Sequence, residues 1–225
     1  NPNITVKSYN NKVKTNNTNI QLISENMVLS NSGEAIILKN NSSKGILLRG
    51  YSNEDFDSLK TINNENFIGR KENLTKNSIS IGKELSFSLD IDLGDTITIM
   101  SSSGIETIIG NLTKKKKFTV VSLFERGLAD FDNNIAFINL NTLEEFFNLD
   151  KNNRNLEIYL KDPKNIVPQK RIVQKIFPDD FVYSWSDMNS SLFSALKVER
   201  NVMFIILSLI IIVAAFNIIS GLTIL

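Results

Sequence analysis

Gly82-Lys83 is the Gly-Lys pair around which a nucleotide-binding loop would be sought. It lacks the upstream glycine and the following Ser or Thr that let backbone N–H groups cradle phosphates, so this chain does not bind ATP that way. Asp90, Asp92 and Asp95 offer carboxylates for calcium, but Gly94 stands at the wrong offset and no bidentate Glu follows at the twelfth position. They read as a solvated turn. The 225 residues include no His and no Cys, which removes the usual general base, the commonest metal ligand, thiolate chemistry and disulfides. Ser and Lys are abundant, yet no pair has the spacing of a serine beside an activating lysine. Catalytic residues, cofactors and metal sites are therefore not expected.

What remains is recognition. Lys plus Arg (25) against Asp plus Glu (24) gives a net charge of +1, so no global field recruits nucleic acid. Locally, Lys114 to Lys117 stands directly before a strong apolar strand, Phe118 to Phe124. Two readings stand: a run of charges that protects the strand from mispairing, or a basic pad for an acidic partner. Ser101 to Thr113 precedes it, a long connection between strands that a few residues could join, and it carries Ile105, Ile108, Ile109 and Leu112. Long apolar loops often bind something.

Val202 to Leu225 contains no Asp, Glu, Lys or Arg, and at 1.5 Å per residue a helix of that length covers about 36 Å, enough to cross a bilayer. Asn217 is the costliest uncharged residue in this span and is expected to face other helices or a cavity instead of lipid. Upstream, Ser186 or Asp187 is expected to cap a helix with Met188, Leu192, Phe193 and Leu196 on one side, and Lys197, Glu199 and Arg200 mark the membrane boundary. That helix is either a stalk or a lever. The start at Asn1-Pro2 and the apolar end at Leu225 read as those of an excised piece.

The elements that must position these residues follow from periodicity. Short strands are expected at Ile4 to Val6, Ile20 to Leu29, Ala35 to Leu38 and Gly45 to Arg49, a small antiparallel meander separated by Asn, Ser and Gly, with a loop over 10–19. Glu54 to Thr61 predicts a short helix before a turn at Asn63 and Asn64. A second lobe begins at Ser78 with a strand and a short helix holding Leu85 and Leu89, then strands at Thr96 to Met100, Phe118 to Phe124 and Ile135 to Ile138. Asn141 is read as the cap of a helix with acidic residues in its first turn. Leu156 to Leu160, Val167 to Ile176 and Phe181 to Trp185 read as strand, helix and strand that complete the first lobe.

Those residues carry a resemblance. Asn1-Pro2-Asn3-Ile4-Thr5-Val6, Gly45-Ile46-Leu47-Leu48-Arg49-Gly50, Ile81-Gly82-Lys83-Glu84-Leu85, Leu93-Gly94-Asp95-Thr96, Leu192-Phe193-Ser194-Ala195-Leu196-Lys197 and Ala214-Ala215-Phe216-Asn217-Ile218-Ile219-Ser220 resemble, in order, blocks of the LolC/LolE family of lipoprotein-releasing ABC transporter permeases. The resemblance implies an α+β fold: a two-lobed MacB-like periplasmic domain followed by a transmembrane helix, the second of four. A Porter-like lobe would comprise 1–76 and 151–186, a Sabre-like lobe 77–150, a juxtamembrane helix 187–201 and the membrane helix 202–225. The location implied is the bacterial inner membrane, with residues 1–200 mainly periplasmic.

It further implies a LolD-like ATPase subunit, a second permease subunit, a lipoprotein substrate and a LolA-like periplasmic carrier. The carrier would dock on a hairpin hook formed by Ser102, Ser103, Gly104, Ile105, Ile108, Ile109, Leu112 and Lys114, beside a pad of Thr98, Lys116 and Lys117. Phe204, Phe216 and Asn217 would line the lipoprotein cavity. Two alternatives are a MacB- or FtsX-like mechanotransmitter that moves no lipoprotein, and a membrane-tethered extracytoplasmic sensor domain.

Overall fold

Sixteen residues from Ser24 to Lys39 form one unbroken strand, although Ser30-Asn31-Ser32-Gly33 in its middle has the composition of a turn. The run stays extended because its backbone is paired: Ser30 lies opposite both Asn155 and Tyr51, and Gly33 lies opposite Leu48. Gly33 is there for space. A Cβ at this position would sit 2.6 Å from the ring of Phe147.

The computed structural model describes residues 2–8, 18–40, 42–59, 67–69, 74–101, 105–107 and 110–224. In chain order its elements are β1 (Ile4–Lys7), α1 (Thr18–Ile23), β2 (Ser24–Lys39), β3 (Ser42–Tyr51), α2 (Asn53–Ser58), β4 (Ile68–Gly69) and β5 (Ser78–Gly82). Next come α3 (Lys83–Leu89), β6 (Thr96–Ser101), β7 (Ile105–Thr107), β8 (Gly110–Leu112), β9 (Lys115–Phe124), α4 (Ala129–Asn134), β10 (Ile135–Asn139) and α5 (Leu140–Phe147). The chain closes with β11 (Asn155–Leu160), α6 (Ile166–Ile176), β12 (Phe181–Ser184), α7 (Trp185–Met188) and α8 (Ser190–Ile224). Packing divides it into two units, Pro2–Val182 and Tyr183–Leu225.

In the first unit the strands run β1-β11-β2-β3-β10-β5-β9-β4, and β6 pairs with both β2 and β9. That double pairing closes β2, β3, β10, β5, β9 and β6 into a barrel. Every one of these strands sends two side chains inward: Ala35 and Ile37, Ile46 and Leu48, Ala136 and Ile138, Ile79 and Ile81, Phe118 and Val120, Ile97 and Ile99. Leu85 and Leu89 of α3, with Leu143 and Phe146 of α5, join the same core. Burying each large side chain contributes about 1.5–3 kcal/mol, and closure leaves no edge to mispair.

The remaining strands build a second core from Ile4 and Val6 of β1, Leu156, Ile158 and Leu160 of β11, Ile20 of α1, and Val173 and Phe177 at α6. A third, aromatic cluster lies between them, with Val28, Tyr51, Phe56, Phe124 and Phe137 fully buried. Phe137 meets Phe56 edge-on at 5.7 Å and Phe124 at 4.8 Å.

Several expectations change. Ile20 to Ile23 is helical, and what reads as short meander strands is the long β2 followed by β3, with β10 parallel to β3 and β9 parallel to β5. The interruptions at Ser and Gly were packing positions and not turns. The cap of α5 is Asn139, whose side chain accepts from Asn141 N at 3.1 Å and Thr142 N at 3.4 Å; no acidic residue lies in the first turn. Glu144 is instead buried against Arg154 at 2.7 Å. Helix α4 is absent from the sequence reading, because Ala-Asp-Phe-Asp-Asn-Asn shows no apolar stripe; Asp132 within it accepts from the backbone of Arg126 and Gly127. The loop read over 10–19 lies outside the described residues as far as 17, as do Asn63 and Asn64.

In the second unit, Ser184 caps α7 in a capping box with Asp187, so neither Ser186 nor Asp187 is the cap. Met188 ends α7, and the long helix starts at Ser190. Trp185 packs edge-on to Phe193 at 5.4 Å. From Ser190 to Thr223 the helix is long and apolar enough to cross a membrane. Ser208 and Thr223 donate to the carbonyls of Phe204 and Ile219, at 2.8 and 2.7 Å, which removes the cost of placing their hydroxyls in lipid.

Candidate docking face

Antiparallel partners directly opposite one another point to the same side of a sheet, so register decides which side chains share a face. On the outer surface of the barrel, one row reads Gly45, Ile36, Met100, Lys115 across β3, β2, β6 and β9, and the next reads Ser43, Leu38, Thr98, Lys117. Ile36, Leu38, Thr98 and Met100 are half-buried, while both lysines are exposed. Leu47 and Glu34 extend the face into a shallow groove with Ile36, Gly45 and Asn134. The result is an apolar strip edged by two cations.

The lysine run lies inside β9 for three of its four residues, not ahead of the strand, and alternation splits it. Lys117 lies opposite Thr98, on the outer side. Lys116 lies opposite Ile99, on the inner side, with its Nζ 5.3 Å from the Phe118 ring centroid. Burial lowers the Lys116 pKa below the ordinary lysine value, with Glu145 opposing and Lys76 adding to the shift. Lys114 turns the same way, its Nζ donating to the Glu145 carbonyl at 3.2 Å.

The hook region begins where Ser101 N donates to Lys114 O at 2.9 Å and Lys114 N donates to Ser101 Oγ at 3.2 Å. Beyond this base, β7 and β8 form a two-stranded ladder of their own, with Ile105 opposite Leu112 and Thr107 opposite Gly110. Ser102, Ser103, Gly104, Ile108 and Ile109 lie outside the described residues. The Asp90 to Asp95 segment is a turn in which Asp95 accepts from Lys39 Nζ at 2.6 Å and from Asp92 N at 3.0 Å. The Lys39 contact holds the Asp95 carboxyl below the usual carboxylate range.

On α8, Phe204, Phe216 and Asn217 are all exposed, but at 3.6 residues per turn Phe204 and Asn217 point about 140° apart. Asn217 shares its face with Leu209, Ile210, Val213 and Ala214, which line a shallow groove beside it.

Two groups escaped the sequence reading. Ile36, Leu38 and Met100 sit in runs that read as buried on both sides, so nothing local marks them as outward. The other is a buried charge cluster. Glu157, 3% exposed, accepts from Arg49 at 2.6 Å, Tyr51 at 2.9 Å, Tyr159 at 3.1 Å and the Ser30 hydroxyl. Burial pushes the Tyr51 and Tyr159 phenols up, so both donate as neutral hydroxyls. No spacing in sequence links positions 30, 49, 51, 157 and 159.

These features define a class: a water-exposed α+β domain with a lysine-edged barrel face, joined to an apolar helix of bilayer length. No known family model matches the chain. It is 30% identical over 207 residues to the lipoprotein-releasing system transmembrane protein LolC of Neisseria meningitidis, a match covering 89% of this chain and 47% of that protein. It is 30% identical over 178 residues to LolC of Xylella fastidiosa, covering 78% and 43%, and 27% identical over 224 residues to LolC of Buchnera aphidicola, covering 99% and 52%. The chain thus spans about half the length of these relatives. Among solved structures, it is 12% identical to the periplasmic region of MacB from Actinobacillus actinomycetemcomitans, with a TM-score of 0.46 over 85% of this chain and 92% of that one. The extracellular domain of the transporter YknZ from Gram-positive bacteria gives 13% and 0.45, covering 80% and 100%.

The chain belongs to the LolC/LolE family of lipoprotein-releasing permeases. Its helix from Ser190 to Thr223, long and apolar enough to cross a membrane, fits a family of transmembrane proteins.

Proposed function

We propose that the chain is the periplasmic domain and following membrane helix of a permease subunit that releases lipoproteins from the inner membrane and hands them to a LolA-like carrier. The observation that supports this most is the 30% identity to LolC across 89% of the chain. A LolD-like subunit would hydrolyse ATP, and a second permease would complete the complex. Residues 77–150 would act as the Sabre-like lobe, and 1–76 with 151–186 as the Porter-like lobe. The carrier would dock on the hairpin above Ser101 and Lys114 and on the outer face at Thr98 and Lys117.

Register supports a division among the lysines. Lys115 and Lys117, on the outer side, would meet an acidic partner in solution, whereas the half-buried Lys116 lies on the other side of β9 beside Phe118. In pull-downs of full-length protein with its ATPase and carrier, replacing 102–113 by a two-residue turn should abolish carrier capture and leave ATPase capture intact. Lys115→Glu with Lys117→Glu should weaken carrier binding about tenfold at low salt and flatten its salt dependence. Undiminished carrier capture by both variants would overturn the docking assignment.

A further inference from the structure

The long strand β2 belongs to both cores and changes partner between them. Its ladder with β11 ends at Ser30, and its ladder with β6 starts at Ala35. From Asn31 to Glu34 it is paired only with β3. Those four residues, with Gly33 among them, are the weakest stretch of the strand and the natural place for it to bend. A bend there would swing the barrel against the sheet that contains β1 and β11.

The Glu157 cluster ties β11 to β3 at the near end of this stretch, as far as the Ser32–Arg49 pair. Glu157 and Tyr159 stand on β11, Ser30 on β2 before the partner change, and Arg49 and Tyr51 on β3, where they face Ser32 and Ser30. One carboxylate therefore receives donors from β2, β3 and β11 itself: Arg49 and Ser30 on Oε1, Tyr51 and Tyr159 on Oε2. The Arg49 guanidinium also lies 5.5 Å from the Tyr51 ring centroid. Around the cluster the contacts are aromatic and aliphatic, from Val28, Phe56, Phe124 and Phe137. Apolar contacts are non-directional and tolerate sliding, whereas four hydrogen bonds to one buried carboxylate have a single geometry. Ion pairs in such settings add little stability over apolar residues of the same shape, so a role in fixing one arrangement is the physical alternative.

We propose that the Glu157 cluster is a pin at the near end of the one-sided stretch of β2, holding the barrel and the β11 sheet at one fixed angle. The pin makes the domain rigid where its backbone pairing is thinnest. A partner on the barrel face is then kept at a set distance from the β11 sheet.

The test uses the whole 225-residue chain in lipid nanodiscs. Because the chain has no cysteine, Glu84→Cys on α3 and Gln174→Cys on α6 place one spin label on each core. Glu84→Cys with Glu145→Cys on α5 places both on the barrel core. The pin is removed in an apolar variant, Arg49→Met, Glu157→Leu, Tyr51→Phe, Tyr159→Phe, and separately in Glu157→Gln, which keeps the shape. In whichever variant folds, the distance distribution between the cores should broaden about twofold while the barrel pair stays narrow. A distribution between the cores as narrow as the parent's would overturn the pin, since packing alone would then set the angle. Equal broadening of both pairs would also overturn it, as general loosening.

Discussion

Lys116 shows how one residue's role turns on which way it points. It belongs by sequence to a run of four cations, yet its ammonium lies beside Phe118 while its neighbours Lys115 and Lys117 face water. Its folded pKa is depressed, so the folded state disfavours the charged form below that pKa, and the penalty fades as pH rises toward the unfolded lysine value, about 10.4. Lys116→Met, which keeps the apolar stem and loses the charge, should stabilise only slightly at neutral pH, by no more than about 0.5 kcal/mol, because water screens most of the charge. The advantage should shrink toward pH 10. Urea midpoints across that range check both statements, and a constant difference would show that packing and not charge is responsible.

At the scale of elements, the β5–α3 junction explains why Gly82 precedes Lys83. The pair has the composition of a phosphate loop and the geometry of a close approach: a Cβ at Gly82 would lie 1.9 Å from the backbone oxygen of Asp132 on α4. Lys83 is engaged by Glu125 at 2.9 Å. Gly82→Ala must push α4 away from the barrel end, and overpacking of this kind should cost about 3 kcal/mol. Thermal unfolding of the variant measures it; a loss within about 0.5 kcal/mol would mean that α4 moves freely.

At the scale of the whole molecule, Ser208 and Thr223 of the charge-free span bond back to the helix backbone, whereas Asn217 carries the span's bulkiest uncharged polar group. Asn217 sits instead beside the groove formed with Leu209, Ile210, Val213 and Ala214. An amide facing lipid is costly, so this side of α8 should meet protein in the assembled transporter. Asn217→Cys should crosslink to a neighbouring helix or a bound lipoprotein, while Ile212→Cys, about 140° away, should not. Labelling of position 217 by lipid-phase reagents alone would reverse that orientation. Asn217→Leu should leave assembly largely intact, because interhelical hydrogen bonds contribute only about 0.6 kcal/mol on average.

The sequence by itself determined what is local or compositional. Missing His and Cys, an incomplete phosphate loop, a charge-free span of bilayer length and ordered family blocks are all legible without coordinates. So were most strands after Ser78, whose apolar alternation is strong. Tertiary structure alone decided the rest. Ile36 and Ile37 are adjacent and chemically identical, and only closure of the barrel puts one outside and one inside. Lys116 and Lys117 separate for the same reason. Asn139, one residue before α5 begins, and not Asn141, caps that helix because β10 ends there. The Glu157 cluster gathers residues up to 129 positions apart, from Ser30 to Tyr159, on strands that meet only when β2 is paired on both sides. Facing and long-range pairing are properties of register, and register is set by what each strand finds beside it.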